Sequence, residues 1–136
     1  MSGKSKKIYA LLIFTLVITI AILIVFNMGI GAVASDTSVK VTGFWYSKVI
    51  DFNEIESVNI YTGSFDLGEK QSGFGMLGVH RGEYKNDMLG TYTCALNRNP
   101  SSVIVIKKTD GSYFVFNCKK AEHTSTVYQF IKNRVS

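Results

Sequence analysis

The chain has 136 residues and a net charge of +5, but Lys4, Lys6 and Lys7 supply three of those charges, and from Ser35 onward 12 Lys and Arg face 10 Asp and Glu. That near balance gives no support to a nucleic-acid-binding surface, and no such partner is expected. Once one long apolar run is set aside, about a hundred residues from Val39 onward are left to fold, enough for one domain with one modest core.

The apolar run is Ile8 to Phe26, nineteen residues without a charge, a proline or a glycine. As a helix it reaches about 28 Å, close to the roughly 30 Å hydrocarbon thickness of a bilayer. A buried soluble helix of that kind would need a larger domain around it than this chain supplies. The sequence therefore divides into a basic tail (1–7), a transmembrane anchor (8–30), a short flexible linker (31–38) and a folded domain (39–136). Lysines precede the anchor, and Lys and Arg are missing from the stretch Asn27 to Ser38 just beyond it. That asymmetry keeps the N-terminus inside and exports the domain. Ala32-Val33-Ala34 before Ser35 also fits a signal-peptidase site, which would release a secreted domain. The apolar run exceeds the roughly 7 to 15 residues of a signal h-region, which favours an uncleaved anchor.

Past the linker the apolar period shortens to two. Val39 and Val41 alternate with Lys40 and Thr42, and residues 44–50 (FWYSKVI) are aromatic and β-branched, so an opening hairpin turns near Gly43. Residues 51–56 form a polar link with room for one helical turn, and strand character resumes over 57–61. Six glycines between Thr62 and Gly82 predict an irregular loop with a short bulged strand. Residues 82–86 and 91–97 read as strands, the latter with Tyr92, Cys94 and Leu96 on one face. Residues 103–107 (VIVIK) make a strand apolar on both faces, Asp110-Gly111 a tight turn, and 112–118 the returning strand. Val127, Phe130, Ile131 and Arg134, with Thr124 above them, predict one amphipathic helix over 121–134. The expected architecture is mainly β, an antiparallel barrel or sandwich of about seven strands closed by a C-terminal helix.

This order of elements resembles a pleckstrin-homology-like barrel of the kind found in small bacterial proteins behind membrane anchors. The resembling stretches are GFWYSKVIDFNEIESV (43–58), SGFGMLGVHRGEYK (72–85), Gly90 before TYTC, and IVIKKTDGSYFVFN (104–117) followed by a helix bearing Thr and Tyr. The resemblance implies a bacterial cytoplasmic-membrane protein whose domain is a binding or assembly module without catalysis. It does not bring phosphoinositide binding with it, since only Lys40 and Lys48 lie near the first hairpin loop.

Candidate chemistry is sparse. Gly73-Phe74-Gly75-Met76-Leu77-Gly78 has the letters of a dinucleotide fingerprint, but that motif works by turning a strand into a helix whose N-terminus holds pyrophosphate, and no helical pattern follows. His80 and His123 have no Cys or carboxylate at metal spacing, and a G-x-S-x-G turn is missing, so neither metal, cofactor nor enzymatic activity is expected. Cys94 and Cys118 are expected as free core thiols, because VIVIK should lie between their strands and separate them by roughly 9 to 10 Å, beyond the roughly 7 Å a bridge spans.

Two surface candidates remain. Phe44-Trp45-Tyr46 cannot all face one core, so at least one should point outward as a contact patch, and Trp45 suits the membrane interface. Lys107, Lys108, Lys119 and Lys120 form a basic C-terminal group suited to anions. The expected partners are membrane lipid through the anchor and an unidentified protein. The functional expectation is protein interaction or accessory scaffolding at the membrane, with lipid or small-ligand binding as the alternative.

Overall fold

The computed structural model describes residues 2–27, 29–43, 45–75, 79–98 and 102–135. Helix α1 (Gly3–Asn27) contains the apolar run and is long and apolar enough to cross a membrane; all of its described apolar side chains are exposed. Among the described residues nine strands follow: β1 (Gly31–Ala34), β2 (Ser38–Gly43), β3 (Tyr46–Asp51), β4 (Ile55–Thr62), β5 (Glu69–Phe74), β6 (Val79–Asn86), β7 (Gly90–Asn97), β8 (Ser102–Lys108) and β9 (Tyr113–Phe116). Helix α2 (Ala121–Val135) ends the chain.

The strands form two sheets, one ordered β1-β2-β3 and the other β4-β8-β9-β7-β6-β5, and neither closes into a barrel. The mainly β fold with a C-terminal helix is as expected, but two details differ. First, residues 31–34 are a strand, not part of a flexible linker. Gly31 pairs with Thr42 and Ala34 with Val39, and burial of Ile30 and Ala32 in the core holds this short segment in place. Second, β9 inserts between β8 and β7 and runs parallel to β7, with Cys94 opposite Val115. The Asp110-Gly111 turn keeps β9 against β8, and Phe114, Val115 and Phe116 are all buried, so this strand fills the middle of the sheet. The glycine-rich stretch contains the expected bulged strand, β5, with a register shift between Lys70 and Ser72.

The six-stranded sheet is covered on both faces. Ile104, Ile106, Phe114 and Phe116 meet the three-stranded sheet and α2 in the larger core, which also takes in Ile30, Val41 and Ile131. Val103, Val105, Tyr92 and Leu96 form a smaller core under Phe65 and Leu67. The two-faced apolar pattern expected of β8 is thus used on both sides. On α2 the buried face is Thr124, Val127, Tyr128 and Ile131, while Phe130 is only half-buried beneath the Arg134 guanidinium, 3.5 Å from its ring centre. The fully buried Thr124 hydroxyl accepts a hydrogen bond from the Cys118 N–H at 3.0 Å and so ties the start of α2 to the end of β9.

Cys94 and Cys118 are free thiols, as expected. The reason differs from the expected intervening strand: β9 is the direct neighbour of β7, and the two thiols lie in separate cores on opposite faces of the sheet.

Candidate functional site

The chain passes from α1 into the core within three residues. Ile30, 1% exposed, is gripped by the Asn97 carboxamide: its N–H donates to Asn97 Oδ1 at 2.8 Å, and its carbonyl accepts from Asn97 Nδ2 at 3.0 Å. Asn117 Oδ1 accepts from both the backbone N–H and Nδ2 of Asn97, and Asn117 Nδ2 donates to the Ser102 carbonyl. Strands β1, β7, β8 and β9 therefore meet at one polar knot where the chain leaves α1. A Cβ on Gly29 would crowd Asn97 Oδ1 and the Lys119 side chain, so a larger residue there would have to displace the knot or the lysine.

Next to this knot lies an open groove of about 560 Å³, lined by Gly29, Gly43, Lys119, Lys120 and His123 among others. The β2–β3 hairpin rises from the same place. Because β1 and β2 are antiparallel with Gly31 opposite Thr42, Gly43 extends past the start of β1 toward the chain's exit from α1. A Cβ on Gly43 would touch the Ile30 side chain and lie 3.9 Å from the Gly29 carbonyl oxygen. Gly43 pairs with Tyr46, and Trp45 lies in the tight turn between them. Trp45 is 92% exposed with φ of 51°, a left-handed conformation that two-residue turns usually assign to Asn or Gly.

The expected aromatic patch is therefore divided. Trp45 points outward; Tyr46 packs against the larger core with the Arg81 guanidinium 5.3 Å from its ring centre, and burial raises its pKa; Phe44 lies outside the described residues. The four lysines divide as well. Lys107 pairs with Glu56 at 3.3 Å and Lys108 with Glu54 at 3.6 Å, far along β8 from the groove. Lys119 and Lys120 stay exposed at the groove itself. One basic group suited to anions is thus two groups, one engaged by carboxylates and one beside the exit from α1.

The remaining candidates lie elsewhere. Gly73 and Gly82 face each other across β5 and β6, and a Cβ on either would run into the opposing backbone. The glycine motif thus begins in a strand crossing and leads into another strand, β6, with Met76, Leu77 and Gly78 outside the described residues. His80 Nδ1 lies 3.3 Å from the Tyr84 hydroxyl, and burial together with Arg98 and Lys70 lowers its pKa below 6.5. Burial pushes the Cys94 thiol up to about 12 and raises that of Cys118, so neither supplies a thiolate near neutral pH.

Asn97 had no distinguishing sign in the sequence beyond its place at the end of a strand. Its role depends on Ile30, 67 residues away, and no local pattern reports such a pairing. The chain matches no family model, no curated protein and no solved structure.

Proposed function

We propose that this chain is a single-pass protein of a bacterial cytoplasmic membrane, N-terminus inside, whose exported β domain is a non-catalytic interaction or scaffolding module. The reading keeps the kind of role implied by the pleckstrin-homology-like resemblance and does not require a closed barrel. The observation that carries it is the position of Ile30, a core residue three residues beyond the end of α1. Three extended residues span at most about 11 Å, so a bilayer around α1 would have the domain seated at its surface and not swinging on a tether. Such a module holds a partner at a fixed height above the membrane.

Retention of the anchor has the same support. Cleavage after Ala34 would take Ile30 and Ala32 out of the core and leave β2 without its partner β1. A second reading, ligand binding, is favoured by the groove at Lys119 and Lys120, whose cationic lining suits an anion.

Protease applied to cells with their outer barrier opened, with a tag at each end of the chain, tests the first reading. Removal of the C-terminal tag with retention of the N-terminal one is the expected result. A protected C-terminal tag would invert the orientation, and loss of the N-terminal tag near Ala34 would mean a released domain.

A further inference from the structure

The end of the domain nearest the exit from α1 differs in charge from the rest. Strand registers and the Asn97 knot bring together there the turn at Trp45, the starts of β6 and α2, and the ends of β7 and β9. These segments carry Arg81, Arg98, Lys119 and Lys120 against one carboxylate, Glu122. The other nine acidic residues of the chain lie farther along the strands or at the opposite end, among them Asp36, Asp51, Glu54 and Asp110. Beside this basic end stands a tryptophan that is 92% exposed, on a turn whose backbone would be cheaper with Asn or Gly. Trp favours the bilayer interface, and basic side chains within about 10 Å of an anionic leaflet are drawn to it.

We infer that this end of the domain is a lipid-docking face. Trp45 inserts at the headgroup level while Lys119, Lys120 and Arg98 hold anionic phospholipid of the same bilayer that α1 crosses. The inference rests on the membrane-anchored reading and adds to it: the domain is clamped by its anchor on one side and by lipid headgroups on the other. Continuity with α1 selects lipid over a protein partner, because the groove and the hairpin tip begin at Gly29 and Gly43, next to the last turn of the anchor helix.

Trp45 is the single tryptophan of the chain, so fluorescence excited selectively at tryptophan, apart from the seven tyrosines, reports this face alone. The test uses the full chain reconstituted in bilayers of phosphatidylcholine with or without brominated phosphatidylglycerol, together with extraction at alkaline pH. Resistance to extraction with strong quenching of Trp45 by the brominated anionic lipid is the expected result. The Lys119→Ser/Lys120→Ser pair should lower the docked-to-free ratio on the order of 25-fold, about fivefold per lysine, and relieve most of the quench. A Lys107→Ser/Lys108→Ser pair at the opposite end should leave it unchanged. Resistance to extraction without quenching overturns the docking face and leaves the anchor standing. Release at alkaline pH overturns the anchor, and docking with it. Quenching that survives both lysine pairs overturns the electrostatic part and leaves insertion to Trp45 alone.

Discussion

Replacing Asn97 by alanine removes both hydrogen bonds to Ile30 and strands a buried N–H and a buried carbonyl where the chain enters the core. Each such loss costs about 1 to 3 kcal/mol, so Asn97→Ala should destabilise the domain by about 3 kcal/mol and lower its Tm by more than about 10 °C. Calorimetry of the variant checks this, and a shift of a degree or two would show that water replaces the carboxamide. His80 gives a second expectation at this scale. Its folded pKa lies below the ordinary 6.5, so the unfolded chain takes up the proton first as pH falls. Stability is then lost as pH drops through about 6.5 and levels off once the folded imidazole protonates. Denaturant midpoints at pH 7.5 and 5.5 should differ less in His80→Gln than in the parent protein, the wider exposure of the ring keeping the difference small.

Among the elements, the β5–β6 pair depends on two glycines for a steric reason. Gly82 has φ of 124°, and a Cβ there would strike the Ser72 carbonyl. Gly111 also has positive φ, 89°, but stands in an open turn with nothing close to the added atom. Gly82→Ala should therefore cost about 2 kcal/mol or more and Gly111→Ala about 1 kcal/mol, a difference that paired urea titrations resolve. Equal costs would mean that β5 moves aside freely. The elements most legible in the sequence were those with a clean period. The alternation in Tyr92-Thr93-Cys94, the two-faced apolar run of β8 and the Asp110-Gly111 turn all appear where their local chemistry puts them. β1 was not legible, because Gly-Ala-Val-Ala is short, small and without alternation, and its assignment as a strand comes from Ile30 and Ala32 finding a distant core. The helix face was legible except at Tyr128, where packing buries a ring and leaves Phe130 to its Arg134 cover. Of the site, Trp45, Lys119 and Lys120 were visible as residues. Their placement at the same end of the domain was not, because it requires the β1–β2 register.

For the whole molecule, the boundary between α1 and the β domain is the point of most consequence. A chain beginning at Ser35 lacks β1, Ile30 and Ala32, and loss of one buried isoleucine alone costs about 2 to 5 kcal/mol of the 5 to 15 kcal/mol usual for a domain. A fragment starting at Ser35 should be largely unfolded under conditions where one starting at Gly29 melts cooperatively, as circular dichroism on both would show. Equal stability would restore the secreted form as a viable product.

The Asn97 knot also orders events during synthesis. Ile30 emerges 67 residues before the carboxamide that holds it. At about 5 to 20 residues per second, that leaves roughly 3 to 13 s in which β1 can rest only on its hairpin neighbours. On the proposed topology Ala32-Val33-Ala34 would spend those seconds near the membrane without the Asn97 lock, which closes once Asn97 and Asn117 arrive. On the anchored reading proposed above, any mutation that delays the completion of β7 and β9 would lengthen the time in which a peptidase could reach that segment.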